Sequence, residues 1–155
     1  MDNMSKESEI LFGPLKEKVR LLEPALGTPL FQVDPENLVE IATYLQKAPL
    51  LHGTLSLEWA VDLHPMEPSV RIYYLFSLGP EGRWVIIYIN LPESVRSFPS
   101  ITPKIHGAKW YEREIRDLFG LIPSGHPDQR RLVRHEHWPK GAHPLKKDFI
   151  WNTTM

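Results

Sequence analysis

Thr54-Leu55-Ser56-Leu57-Glu58-Trp59-Ala60-Val61-Asp62-Leu63 alternates without a break, and its reading decides the fold. The odd positions Leu55, Leu57, Trp59, Val61 and Leu63 are apolar, whereas Thr54, Ser56, Glu58, Ala60 and Asp62 form a wetter set. Successive side chains of a strand point to opposite faces, so a period of two predicts a β-strand with its odd face on the core and its even face in water. After the turn-rich His64 to Ser69, the apolar set Val70, Ile72, Tyr74, Phe76 and Leu78 repeats the pattern. Gly79-Pro80-Glu81-Gly82 supplies hairpin chemistry before a third run, Arg83 to Leu91. The three runs predict an antiparallel meander.

Working toward the N-terminus, Leu30 to Val33 reads as a brief strand. Asp34-Pro35 then offers an N-cap with Pro at the first helical position, ahead of a helix whose face is Leu38, Ile41, Ala42 and Leu45 and which ends near Ala48-Pro49. Earlier still, Pro14 precedes Leu15, Val19 and Leu22 at helical spacing, which predicts a short helix stopped around Pro24 and Gly27. Toward the C-terminus, a loop with Pro92, Pro99 and Pro103 leads to a helix from about His106 to Phe119. Tyr111, Ile115, Leu118 and Phe119 form its apolar stripe, and Gly120 is placed to close it. These elements predict an α+β fold: a mainly antiparallel sheet covered on one face by helices, a sandwich of two layers. The expected organisation is an N-terminal helical segment (1–29), a core (30–121) and an extended C-terminal arm (122–155) without periodic apolar residues, which gains order by lying on something else.

The chain has 155 residues, no Cys and a net charge of −1. Without Cys it forms no disulfide and supplies no thiolate for catalysis, zinc or an iron–sulfur cluster. Its longest apolar runs are strand-sized, such as Val85-Ile86-Ile87-Tyr88-Ile89, far short of the roughly 20 residues a bilayer span requires, and the charged start Met1 to Glu9 is unlike a signal peptide. The charge is uneven: residues 126–149 carry six Lys/Arg against three acids, a local +3 on a body of −4. Such an arm suits an acidic surface, either a partner's or that of its own body.

The stretch Trp110-Tyr111-Glu112-Arg113-Glu114-Ile115-Arg116-Asp117-Leu118-Phe119-Gly120 packs five charges among apolar residues. Taken alone it reads as a solvated helix face with Glu112/Arg116 and Arg113/Asp117 pairs. Glu114 and Asp117, one turn apart, are a carboxylate pair that acid/base chemistry could use, with nothing else in support. In the arm, His126, Asp128, His135, His137 and His143 offer enough donors for a metal, although not at HExxH or zinc-finger spacing, so a free-standing metal-dependent enzyme is a distant alternative. Trp138 and Trp151 among the basic residues would suit a nucleic acid backbone, yet no RNP, KH or helix-turn-helix pattern accompanies them, and nucleic acid is not the expected partner. No GxGxxG, Walker A or GxSxG sequence occurs.

The run Glu112-Arg113-Glu114, Asp117, Phe119-Gly120, His126-Pro127, Arg130-Arg131-Leu132 resembles the signature of the 30 kDa subunit family of respiratory complex I, the NADH-quinone oxidoreductase. His143-Pro144-Leu145-Lys146-Lys147-Asp148-Phe149 is similar to that family's C-terminal block, and Lys146-Lys147 stands where an Arg-containing pair is usual. Membrane-bound, energy-converting nickel–iron hydrogenases and formate hydrogenlyases share the family. The resemblance implies a non-catalytic subunit without a cofactor or metal of its own, lying peripherally on the cytoplasmic side of the membrane. Its implied partners are a large catalytic subunit, of the nickel-hydrogenase or the 49 kDa type, and other peripheral-arm subunits. The quoted residues of both blocks become the implied subunit interface. The short chain end and Arg134-His135-Glu136-His137-Trp138-Pro139 lean toward the hydrogenase side, with the 30 kDa subunit of NADH-quinone oxidoreductase itself as the alternative.

Overall fold

In the computed structural model, which describes residues 8–25, 27–80 and 82–150, a helical turn at 8–12 and a 3-10 helix Gly13–Lys18 precede strand β1 (Val19–Ala25) and its hairpin partner β2 (Thr28–Val33). A 3-10 turn Pro35–Asn37 feeds helix α1 (Leu38–Lys47), and β3 (Thr54–Asp62), β4 (Ser69–Leu78) and β5 (Arg83–Pro92) form the antiparallel meander. Beyond it lie β6 (Ser97–Pro99), helix α2 (Lys109–Phe119) and β7 (Ile122–Ser124). The main sheet has the order β1-β2-β5-β4-β3, with β2 and β5 parallel and every other pair antiparallel. The fold is therefore the expected α+β sandwich. Leu38, Ile41, Ala42 and Leu45 of α1 are all buried, while the Asp34 carbonyl, not its side chain, accepts the Asn37 N–H at 2.9 Å.

Two expectations fail. The helix expected over Leu15 to Leu22 is a 3-10 turn that ends at Lys18 and gives way to β1. Val19 and Leu21 pack on the core opposite Val33 and Phe31, so the apolar residues serve a period of two. Three apolar residues satisfy either period, and cross-strand partners on β2 choose the strand. Among the described residues of this segment, the helical turn at 8–12 and the 3-10 helix lead into β1, which forms an edge of the core sheet.

The second failure lies in β3 itself. Leu55 faces Phe76 but Leu57 faces Leu75, so two residues of β3 answer one of β4: a β-bulge at Ser56. One extra residue moves every later side chain to the other face. Glu58 and Asp62 are consequently buried under the helices, whereas Leu57 and Val61 are 41% and 36% exposed. The even face that alternation assigned to water is the inner one beyond the bulge.

β4 keeps the expected phase, with Ile72, Tyr74 and Phe76 buried, and β5 is the expected third strand, burying Val85, Ile87 and Ile89. Gly79 (φ 60°) and Gly82 (φ 64°) make the turn between them, and Glu81 lies outside the described residues. The arm begins with a strand, since β7 pairs in parallel with β6, and then runs irregularly to Ile150. Among the described residues no helix is long and apolar enough to cross a membrane.

Candidate functional site

α2 is where sequence and arm meet. Ile115 and Phe119 bury its apolar stripe, and Gly120 (φ 76°) ends it in the left-handed conformation. Yet Glu112, Arg113 and Asp117 are as buried as the stripe, at 0%, 4% and 0% exposure, so this is not a solvated face. A buried charge needs partners. Each finds them in an irregular segment whose backbone has no ladder to bond to.

The Glu112 carboxylate accepts the Ile101 N–H (2.6 Å), the Thr102 hydroxyl (2.7 Å) and the Ser100 hydroxyl, which fastens the loop before α2. Asp117 Oδ2 accepts the N–H groups of Leu132 (2.8 Å), Val133 (2.9 Å) and Arg134 (3.4 Å). Burial pushes the Asp117 carboxyl up, but those three N–H groups and the Arg134 charge outweigh it and leave the group below its ordinary value. Arg113 serves the carbonyls: it donates to Arg130 O (3.1 Å) and Arg131 O (2.9 Å), meets Asp128 at 3.2 Å and lies 5.2 Å from the Trp110 ring. Donor and acceptor on one helix thus grip both polarities of the same stretch of arm.

His126 is buried beside them. Its Nδ1 accepts the Asp128 N–H at 2.9 Å, so in the neutral ring Nε2 carries the proton and donates to Lys109 O at 3.1 Å. Asp128 is held far below the carboxylate range by its bonds to the Arg130 side chain and N–H, against the effect of burial. Further on, Arg134 and Trp138 both donate to Ala142 O, and Leu145 N–H bonds Leu118 O at 3.1 Å. His143 Nδ1 lies 3.1 Å from Asp117 O, with burial lowering the imidazole pKa. Phe149 stacks on Trp138. Asp62, turned inward by the bulge, accepts the N–H of Lys147 (2.9 Å) and of His64 (3.0 Å).

Most of the residues singled out in the sequence therefore come together, but within the chain: Arg113 and Asp117 bind its own arm, and Glu112 binds the loop before α2. Glu114, Arg130, Arg131, Leu132, Leu145, Lys147 and Asp148 stay exposed, as does Pro127, and Leu145 reaches 51%. The arm histidines do not converge, and among the described residues no three His, Asp or Glu side chains are placed to hold a metal ion. Trp151 lies outside the described residues. Sequence reading missed Asp62 as a clamp, along with Ser100, Thr102 and the buried, unpartnered Glu58. Alternation had put Asp62 and Glu58 in water, and only the bulge moves them.

The family model described as "Respiratory-chain NADH dehydrogenase, 30 Kd subunit" matches residues 31–155. The chain belongs to that family. It is 43% identical over 97 residues to hydrogenase-4 component G of Escherichia coli K12, covering 62% of this chain and 18% of that protein. Formate hydrogenlyase subunit 5 of the same strain is 37% identical over 97 residues, with 62% and 17% covered. The C/D protein of NADH-quinone oxidoreductase from Proteus mirabilis is 29% identical over 161 residues, which cover 96% of this chain and 25% of that one. The chain thus spans a quarter or less of these relatives' length. The fold matches a trypsin-resistant fragment (1–134) of Nqo5, with a TM-score of 0.66 at 22% identity over 81% of this chain and 99% of the other. It also matches a chain of an archaeal membrane-bound sulfane sulfur reductase, described as a respiratory membrane complex, at TM-score 0.74, 19% identity and 94% and 86% coverage.

Proposed function

We propose that this member of a complex I-like oxidoreductase family is a non-catalytic scaffold, packed against the large catalytic subunit on the cytoplasmic side of a membrane-bound complex. The observation that carries the reading is the division of labour in the arm. Its backbone polar groups are consumed by Asp117, Arg113 and Asp62, while Leu132, Val133, Leu145 and Ile150 stand 36%, 53%, 51% and 85% exposed beside Arg130 and Arg131. A segment fixed at such cost in conformational entropy, yet turned apolar side outward, is preorganised to bind. The implied interface comprises Glu114, Pro127, Arg130, Arg131, Leu132, Pro144, Leu145, Lys147, Asp148 and Phe149. Glu112, Arg113, Asp117, Phe119, Gly120, His126 and His143 hold that surface in place.

The complex is read as an energy-converting nickel–iron hydrogenase or formate hydrogenlyase, which the higher identity to the two Escherichia coli proteins supports. NADH-quinone oxidoreductase is the second reading, supported by the fuller coverage of this chain in the match to the Proteus mirabilis protein. The test is purification of the assembly through a tag on this chain, comparing Arg130→Glu with Arg131→Glu, Phe149→Ala, and deletion after Gly125. Loss of the large subunit with the deletion is expected. Full recovery of it at moderate salt refutes the arm as the strap.

A further inference from the structure

Between the edge strand β3 and helix α2 lies a cleft of about 180 Å³, with Leu145 of the arm in its wall. Glu58, Trp59, Tyr111, Glu114 and Leu118 also line it, the rest of its lining is apolar, and among the described residues the two carboxylates are its only charges. Glu114 is exposed, whereas Glu58 is buried, at 3% exposure. Neither Glu58 oxygen has a hydrogen-bond partner among the described residues, and nor does the hydroxyl of Tyr74, its direct partner across β3 and β4. Burial, and then the charge of Glu112, hold the Glu58 carboxyl well above its ordinary range. Glu112 itself is committed to the loop before α2 and lies 3.9 Å from His126. The nearest bases in sequence are engaged elsewhere: Arg113 meets Asp128 at 3.2 Å, Arg116 lies 3.8 Å from Asp117 and Lys146 pairs with Asp148 at 3.2 Å. Buried polar groups are almost always paired, so one that lines a cleft unpaired calls for a ligand.

We propose that this cleft receives the side chain of a lysine or arginine from another subunit, its charged end set against Glu58 and Glu114 and its methylene stem against the apolar walls. The inference rests on the reading of the chain as an assembly subunit. Size, sign and wall chemistry select the occupant. Small-molecule sites run to about 300–1,000 Å³, whereas about 180 Å³ suits one side chain. A metal ion needs a set of donors, and among the described residues no three His, Asp or Glu side chains are placed to supply one. A long basic side chain lays its stem along apolar surface and keeps its charged head for polar partners, which matches Leu118 and Leu145 beside two carboxylates. Its charge is the partner that Glu58 lacks, and it draws that carboxyl back toward the ionised form. Glu114 and Leu145 also belong to the interface proposed above, so a subunit seated there reaches the cleft.

The experiment places a photo-crosslinking phenylalanine analogue at Leu57, 41% exposed on the cleft wall, in the full chain within the intact, tagged complex, and a second, separately, at Leu132 in the arm. Circular dichroism and the melting temperature of each variant establish that it folds. Expected is a crosslink from position 57 to a peptide of another subunit that contains a lysine or arginine. Glu58→Gln, which keeps size and removes the charge, should lower that crosslink several-fold while the crosslink from 132 persists. Replacing the captured base by Met should lower it as far, and should lower it no further in the Glu58→Gln background. A crosslink from 57 that Glu58→Gln leaves unchanged overturns the proposal, as does a captured peptide without a base or one from a second copy of this chain. So does none from 57 while 132 crosslinks, which leaves the scaffold reading standing. Silence at both positions, with no other subunit recovered, removes the scaffold reading itself.

Discussion

Asp117→Ala should release the arm without unfolding the core. Oδ2 accepts two short N–H bonds, from Leu132 at 2.8 Å and Val133 at 2.9 Å, and a longer one from Arg134 at 3.4 Å. A hydrogen bond to a charged group contributes about 1.5–3 kcal/mol. Three bonds that share one oxygen do not add, so about 3–5 kcal/mol is expected, in line with breaking a buried charge pair. At about 1.4 kcal/mol per factor of ten, exchange of the Leu132 and Val133 amides should accelerate about a hundredfold to several thousandfold. Amides of β4, paired on both sides within the sheet, should hold their protection. Hydrogen exchange read by mass spectrometry or NMR makes the comparison, with Glu114→Gln, exposed on the same helix, as control. Unchanged exchange at Leu132 and Val133, or equal acceleration in β4, refutes the idea that one carboxylate tethers the arm. The sign with pH follows from the lowered value of Asp117: its stabilisation is complete above the unfolded carboxylate value of about 3.9 and is lost as pH falls through the lower folded one. Acid should therefore loosen the arm of the wild type and leave Asp117→Ala unaffected there.

Glu58 carries the opposite sign, because burial and then the Glu112 charge raise its carboxyl well above the usual range, and neither oxygen has a hydrogen-bond partner. Its folded form holds the proton to higher pH than the unfolded one, so stability falls as pH rises from about 4.3 toward the folded value; Glu58→Gln should melt higher than wild type at pH 7 and equally at pH 4, and a lower melting temperature at pH 7 would contradict this. Gly120→Ala meets both a φ of 76° and the His143 ring, which a Cβ would approach to 2.6 Å, so about 1–3 kcal/mol should be lost in urea denaturation. Adding His143→Ala should restore the steric part and leave the backbone part, and strict additivity would show that the ring does not matter. Ile115→Ala, in the buried stripe of α2, should cost about 2–5 kcal/mol by the same assay.

The period of β4, the run of β5, the apolar face of α1, the stripe of α2 and its glycine stop were legible because each depends on neighbours a few residues away. The family was legible too, in the ordered charges of α2 and the arm. What α2's charges do was not. Glu112, Arg113 and Asp117 read as a wet helix face, since five charges in eleven residues look solvated until something covers them, and the cover comes from residues up to 18 positions away. The bulge at Ser56 is the sharper case: the alternation of Thr54 to Leu63 is unbroken, and nothing in it says where β4 skips a partner. That single offset buries Glu58 and Asp62, turns Leu57, Trp59 and Val61 outward, and so makes the clamp for Lys147. Local pattern marks the strands of the meander, whereas β1 owes its form to its partner β2. Register, a property of two strands together, determined which of their faces is the inside.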